Sequence, residues 1–378
     1  MTINPRLYVL CVSQVTRKTL FSLLLLSLLL LLMQGCQPRP AMEQQFVTYA
    51  ERMSNVLEVP PPDFVFISYA DAVLSDSFAN SEIDLHRMSL PKMISSPPAA
   101  SQTLSLREFQ QLPACHELKP IIAQRNSSLG RVQSPSQHYL YQVTVVNLLK
   151  ICAEKAAQAG ASTSQLDQLL EHKFNDLTLH RHWFLRTEPA IRQSLQASLV
   201  LLRPNWNQHQ ETVSAWQSLA ASPRELSAFP ASIDNVERQL NTALQQVESN
   251  PFVNQLYNTL NWYTFQLVQL NQWLTVHLNQ EQCASATSQK RVEYLSNILK
   301  LFFIGEIQEK STKLSDIHYR LHPILKKIYN DSTFGNEFGE LLAEQQLIFE
   351  RYQHALKSHT LVWGDLLNRC NKRITPTT

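Results

Sequence analysis

The chain has 378 residues, only seven of them glycine, and a formal net charge of +2. Glycine this far below its usual share of about 7 % argues against phosphate-cradling loops and strand-and-turn architectures, and for helices joined by Pro- and Ser-marked turns. Residues 1–35 carry Arg6, Arg17 and Lys18 and no acid, so the remainder holds 30 Lys+Arg against 31 Asp+Glu, a net charge of −1. No excess positive field is left to attract nucleic acid, and that class of partner is excluded.

Arg17 and Lys18 precede an apolar-plus-serine run from Leu20 to Met33, followed by Gln34, Gly35 and Cys36. A positive flank, a short apolar segment and a small residue before the cut make a bacterial secretory signal. The cysteine after the cut makes it a lipoprotein signal, with the Cys36 thiol carrying the lipid. A membrane-spanning anchor is the competing reading. The run covers about 21 Å as a helix, short of a bilayer core of about 30 Å, and Ser22 and Ser27 interrupt it. Residues 1–35 are therefore expected to be a signal peptide and 36–40 a lipidated tether. Gln37 follows the cysteine where inner-membrane retention commonly uses Asp, so the expected location is the outer membrane, facing the periplasm.

Helical spacing begins at once with Phe46, Tyr49, Ala50, Met53 and Leu57 and stops at Pro60-Pro61-Pro62. Ser75 to Gln102 is rich in Ser, Pro and Ala and reads as irregular, with a short extended piece near Leu85–Leu90. Ser134-Pro135-Ser136-Gln137 combines an N-cap, a proline at the first helical position and a capping-box glutamine. The helix it opens is expected to run to about Gln158, with Gly160 as its stop. Ser164 to Arg186 continues in the same style, and Ser222-Pro223-Arg224-Glu225 repeats the capping formula.

The C-terminal half has the strongest periodicity. Val253, Leu256, Leu260, Tyr263, Leu267, Leu270 and Leu274 form one heptad seam. Val292, Leu295, Leu299 and Phe302 begin a second long helix. Phe338, Leu341, Gln345, Ile348, Tyr352, Ala355, His359, Val362 and Leu366 form a third. The expected fold is all-α: a bundle of long antiparallel helices behind an irregular N-terminal segment. Residues 41–375 read as one helical domain, with a subdivision near 225–250 as the variant. Ser249 to Gln280 has no Asp, Glu, Lys or Arg in 32 residues, which places this helix at the centre of the bundle. An amide surface anchored by Trp262 and Trp273 is the functional counter-reading.

Four cysteines, Cys115, Cys152, Cys283 and Cys370, follow the lipidation site. An even number in an exported chain suggests two disulfides. Of three pairings, Cys115–Cys152 and Cys283–Cys370 each link the ends of neighbouring helical segments, and each should stabilise by roughly 4 kcal/mol. The spacings are too wide for a structural zinc site.

Residues 121–132, Ile-Ile-Ala-Gln-Arg-Asn-Ser-Ser-Leu-Gly-Arg-Val, then Ser134-Pro135-Ser136-Gln137 and Tyr141, resemble the signature stretch of an uncharacterised family of proteobacterial lipoproteins, known only as a domain of unknown function. The resemblance implies a lipoprotein with one family-wide domain, and no activity, ligand or catalytic residue comes with it. Read from its residues, the Arg125-Asn126-Ser127-Ser128-Leu129-Gly130 core is a helix end. Gly130 suits a left-handed stop, Asn126 and the serines bond local backbone, and Arg125 holds a neighbouring helix. The sharper alternative makes Arg125, Asn126, Ser127 and Ser128 part of a polar pocket.

Catalytic patterns are sparse. There is no GxSxG elbow and no P-loop. Ser89-Leu90-Pro91-Lys92 matches Ser-x-x-Lys by letter but lacks its companion motifs. His318 and His322 share a helical face, yet Tyr319 stands where an HExxH zinc peptidase needs Glu. His172, Asp176 and His180 form a stripe best read as a solvated face, with His182 off it, and His359 lies on the third seam as a core histidine. Neither a cofactor nor a metal site is expected, and no enzyme class gains support. The expectation is a lipid-anchored envelope protein acting through protein–protein contacts in envelope assembly or maintenance. The alternative is a periplasmic binding module for a small envelope ligand, a muropeptide or a lipid, held between helices.

Overall fold

A computed structural model of the protein describes residues 41–64, 90–93, 96–99, 115–196, 200–222, 233–281, 283–330, 334 and 336–372. The chain divides into two compact units, Met1–Thr48 and Tyr49–Thr378. The first unit's described residues open helix α1 (Ala41–Leu57). The expectations for Leu20–Met33, Cys36 and most of Ser75–Gln102, and for the capping formula after Ser222, lie outside the described residues.

The second unit continues α1 and adds α2 (Leu118–Asn126), α3 (Pro135–Gln158), α4 (Ser164–Thr187), α5 (Pro189–Leu195), α6 (Trp206–Leu219), α7 (Ile233–Ser249), α8 (Val253–Leu278), α9 (Ala286–Ile298), α10 (Glu309–Tyr329) and α11 (Asn336–Arg369). No strand occurs among the described residues, and the fold is all-α.

Helix ends follow local chemistry. Ser134 Oγ accepts from the Gln137 backbone N–H while Gln137 Oε1 accepts from the Ser134 N–H, both at 3.2 Å, and Pro135 fills the first helical position of α3. At the far end Gly160 has φ 71°. There Ala161 N–H bonds Ala156 O at 2.9 Å and Gly160 N–H bonds Ala157 O at 3.0 Å, the paired closure that a left-handed residue permits.

Helix α8 is the axis. All seven residues of its seam are fully buried, and Asn254, Asn258, Asn261, Gln266 and Asn271 on its other faces are buried as well. An uncharged helix can be enclosed in this way because amides need only hydrogen bonds, whereas each buried charge would need a partner. Helix α8 packs most extensively on α11 and also on α5 and α10. Arg369, in the last turn of α11, donates to the terminal carbonyls of α8, Leu278 O at 2.8 Å and Asn279 O at 3.3 Å. The two helices therefore end together, and Cys283 and Cys370 join there with Cα atoms 5.4 Å apart.

Two seam positions differ from their sequence assignment. Leu299–Gln308 is a π-helical stretch between α9 and α10. Its wider turn moves the inward position by one residue, so that Phe303 is buried in place of Phe302. Near the end of α11, Trp363 is buried and Val362 only partly so, because the indole N–H finds partners inside.

Helices α3 and α4 form a second packed pair, joined by α2. Cys115, before α2, is linked to Cys152 on α3 with Cα atoms 5.1 Å apart. Around this link Leu118, Val145, Leu149, Leu166 and Leu169 make a small apolar core.

Candidate functional site

The Arg125–Gly130 segment ends α2 and folds back on it. A Cβ on Gly130 would stand 2.3 Å from Arg125 O and 2.4 Å from Gln124 O. Glycine is required here by this close approach. The expected left-handed stop is not what Gly130 supplies; among the described glycines positive φ occurs at Gly160. Ser127 fixes the turn, donating from Oγ to Gln124 O at 2.6 Å and accepting from Gly130 N–H at 3.1 Å. Ser128 is exposed at the entry to a 3-10 turn, Leu129–Val132. Folded this way, the turn brings the Gly130 carbonyl onto Arg125 Nη1.

Arg125 and Asn126 line a cleft of about 410 Å³ between α2, α3 and α4, together with His138, Tyr141, Gln142, Lys173 and His180. Leu118, Ile122, Val145, Leu149 and Leu169 supply its apolar wall. Of the four proposed pocket residues, the structure thus places two in the cleft. Ser127 shapes the turn behind it, and Ser128 stands outside.

A polar chain with a fixed direction runs along one side. Arg125 Nη2 lies 2.9 Å from His138 Nδ1, and His138 Nε2 lies 3.1 Å from His180 Nδ1. A guanidinium can only donate. His138 Nδ1 must therefore accept, which puts the proton on its Nε2. That N–H donates to His180 Nδ1, so His180 carries its own proton on Nε2. This last N–H is buried and has no acceptor among the described residues. Arg125 itself bonds the Gly130 carbonyl and His138, with the Tyr141 ring 5.8 Å from the guanidinium carbon; none of these partners is anionic.

The imidazoles are neutral at neutral pH. Burial, reinforced by the neighbouring His180 and Arg125, lowers His138 from 6.5 to about 4. Burial also lowers His180 to about 4, against the opposing pull of Asp176. Rings so weakly basic are poor general bases near pH 7, and the chain works as an array of donors. Burial likewise raises the Tyr141 phenol and lowers the Lys173 ammonium. Lys173 Nζ stands 3.9 Å from Asp176 Oδ2.

The stripe read as a solvated face behaves otherwise. His172 is exposed, but Asp176 and His180 are buried, because α3 covers this side of α4. His138 was invisible to sequence reasoning. It sits one turn into α3, and its partner is 42 positions away.

Three further buried histidines, His318, His322 and His359, sit in packing networks. His359 Nδ1 pairs with Asn271 Oδ1 at 2.7 Å, and its Nε2 receives Trp363 Nε1–H at 3.2 Å and stands 3.1 Å from Tyr49 Oη. His318 stacks on Phe349 at 3.6 Å, and both His318 and His322 approach Tyr257 Oη. His322 Nε2 also lacks a partner among the described residues, but His322 lines neither this cleft nor the second cavity. That cavity, of about 240 Å³, lies near α7 against Tyr139, Val143, Phe184, Val236 and Leu240 and has no charged group in its wall. Among the described residues no group of three or more His, Cys, Asp or Glu could hold a metal ion, and no helix is long and apolar enough to cross a membrane.

Fold and site together define a disulfide-linked all-α domain with an amphipathic, donor-rich cleft. The sequence model of a family described as protein of unknown function (DUF3080) matches residues 71–374. The chain belongs to that family. No curated protein and no solved structure matches it.

Proposed function

We propose that this is a lipid-anchored envelope protein, held through Cys36 at the periplasmic face of the outer membrane, which acts by binding a small envelope molecule in the cleft between α2, α3 and α4. The observation that carries the binding reading is Arg125, a half-buried cation at a cleft wall whose partners are all uncharged. A cation in such a setting gains most from an anionic or acceptor-rich guest. The neutral, directionally fixed histidine pair supports binding over proton transfer.

Two measurements test the proposal. Cys36→Ser should abolish incorporation of labelled palmitate and leave the precursor uncleaved; normal labelling would refute the anchor. Native mass spectrometry of the full chain extracted from cells should show a bound small molecule that Ile122→Trp, which fills the cleft, removes. A species retained unchanged by that variant would place binding elsewhere.

Contact with an envelope protein is the second reading, and one feature favours it. Leu129 and Val132, on the turn beside the cleft, are 80 % and 78 % exposed. Leu129→Asp together with Val132→Asp should then reduce in-cell crosslinking to a partner without altering ligand retention.

A further inference from the structure

The lining of the cleft is divided. One part presents donors: the Arg125 guanidinium, the His180 imidazole and the Asn126 and Gln142 amides. The other is aliphatic, formed by Leu118, Ile122, Val145, Leu149 and Leu169, and it is continuous with the apolar core around the Cys115–Cys152 link. Arg125 uses two of its five N–H groups, on the Gly130 carbonyl and on His138. The chain of donors that begins there ends in a buried His180 N–H without an acceptor. Lys173 has Asp176 beside it, so that pair is close to neutral and Arg125 sets the sign of the cleft.

We infer that the cleft binds an amphiphilic anion, a compact negatively charged head on an aliphatic body, with the head held by Arg125 and the body against Leu118, Ile122, Val145, Leu149 and Leu169. This inference rests on the cleft being a ligand site, as proposed above. A head bearing two or more anionic or neutral acceptor oxygens matches the donors present, and a carboxylate or a phosphate monoester supplies that. A cleft of about 410 Å³ selects a short chain or the end of a longer one. A purely polar anion would leave the aliphatic wall wet, and an apolar molecule would leave Arg125 and the His180 N–H unpaired; both are disfavoured for a guest that must displace water from the two surfaces at once.

The test uses the full chain in lipid nanodiscs, with empty nanodiscs as the blank, and isothermal titration with hexanoate, hexyl phosphate, hexanol and acetate. Hexanoate or hexyl phosphate should bind at least tenfold more tightly than either hexanol or acetate. The tighter of the two anions identifies the source as a fatty-acid carboxylate or a lipid phosphate, and either supports the inference. Arg125→Gln should weaken the preferred anion at least tenfold and leave hexanol unchanged. Ile122→Trp, which needs no change of charge, should weaken the same anion while sparing acetate. Hexanol or acetate binding within threefold of the tighter of the two anions would overturn the amphiphile inference and leave the cleft as a ligand site. Heats equal to the blank for all four probes would overturn both.

Discussion

Two histidine networks of this molecule, one around His359 and one around His138 and His180, look alike in composition and differ in closure. Around His359 both ring nitrogens are engaged by Asn271, Tyr49 and Trp363, deep against the α8–α11 core. Around His138 and His180 the chain starts at a cation with no anion and ends at an N–H with no acceptor, on the wall of a cleft. A closed network specifies packing, because every member is satisfied by another. An open one beside a cavity has bonding capacity to spare. Unpaired buried atoms also occur in the core, at Gln266 and His322; what sets the His138–His180 chain apart is that its open end and its cation line the same cleft.

The comparison can be broken at several points. The largest effect is expected at the closed scaffold: replacing Cys283 and Cys370 together by Ser should cost roughly 4 kcal/mol of stability in urea denaturation while leaving anion affinity intact. His359→Leu should come next, at roughly 3 kcal/mol, because it strands Asn271, Tyr49 and Trp363 in the core. Gly130→Ala should cost about 1–3 kcal/mol and weaken binding as well, since the new Cβ must displace the carbonyls of Gln124 and Arg125. Arg125→Gln should be the mildest for the fold, at about 1 kcal/mol or less, and the most damaging for the ligand. A variant of His359 that lost the ligand but kept its stability would reverse the assignment of the two networks.

Acidification affects both regions in one direction. His138 and His180 are lowered to about 4 and His359 to about 3, all by burial. Below the usual 6.5 the unfolded chain takes up protons that the folded chain refuses, so this stability is fully present above that pH. It is lost as pH falls from there through the folded values. The urea midpoint should therefore drop between pH 7 and pH 5, and His359→Leu should make the profile shallower. Anion binding should stay flat from pH 6 to pH 8, where Arg125 is charged and both cleft imidazoles are neutral. A step in affinity near pH 6.5 would mean that the pair titrates normally.

Much of this fold was legible because its causes are local or periodic. Ser134, Pro135, Gln137 and Gly160 bound α3 through contacts a few residues apart, and the Val253–Leu274 seam announces the α8 axis. The absence of charge from Ser249 to Gln280 matched a helix buried on most faces from Val253 to Asn271, although Gln272, Thr275 and Val276 near its end are exposed. The pairing of Cys283 with Cys370 followed from two long helices ending together. The π-helical turn was hidden, since a one-residue shift at Phe303 depends on packing that no heptad count contains. The site was legible only in part. Arg125 and Asn126 could be singled out from the Arg125–Gly130 stretch that carries the family resemblance, but His138 joins His180 only once α3 lies on α4. Asp176 and His180 looked solvated for the same reason: a polar stripe covered by a second helix has the sequence of an exposed one.

The most direct measurement is nitrogen-detected NMR of the histidine rings in the full chain, with and without hexanoate. The account predicts that His180 is protonated on Nε2 and that this resonance moves on titration, while the His359 ring does not respond. A His180 ring protonated on Nδ1, or equal shifts at His180 and His359, would contradict it.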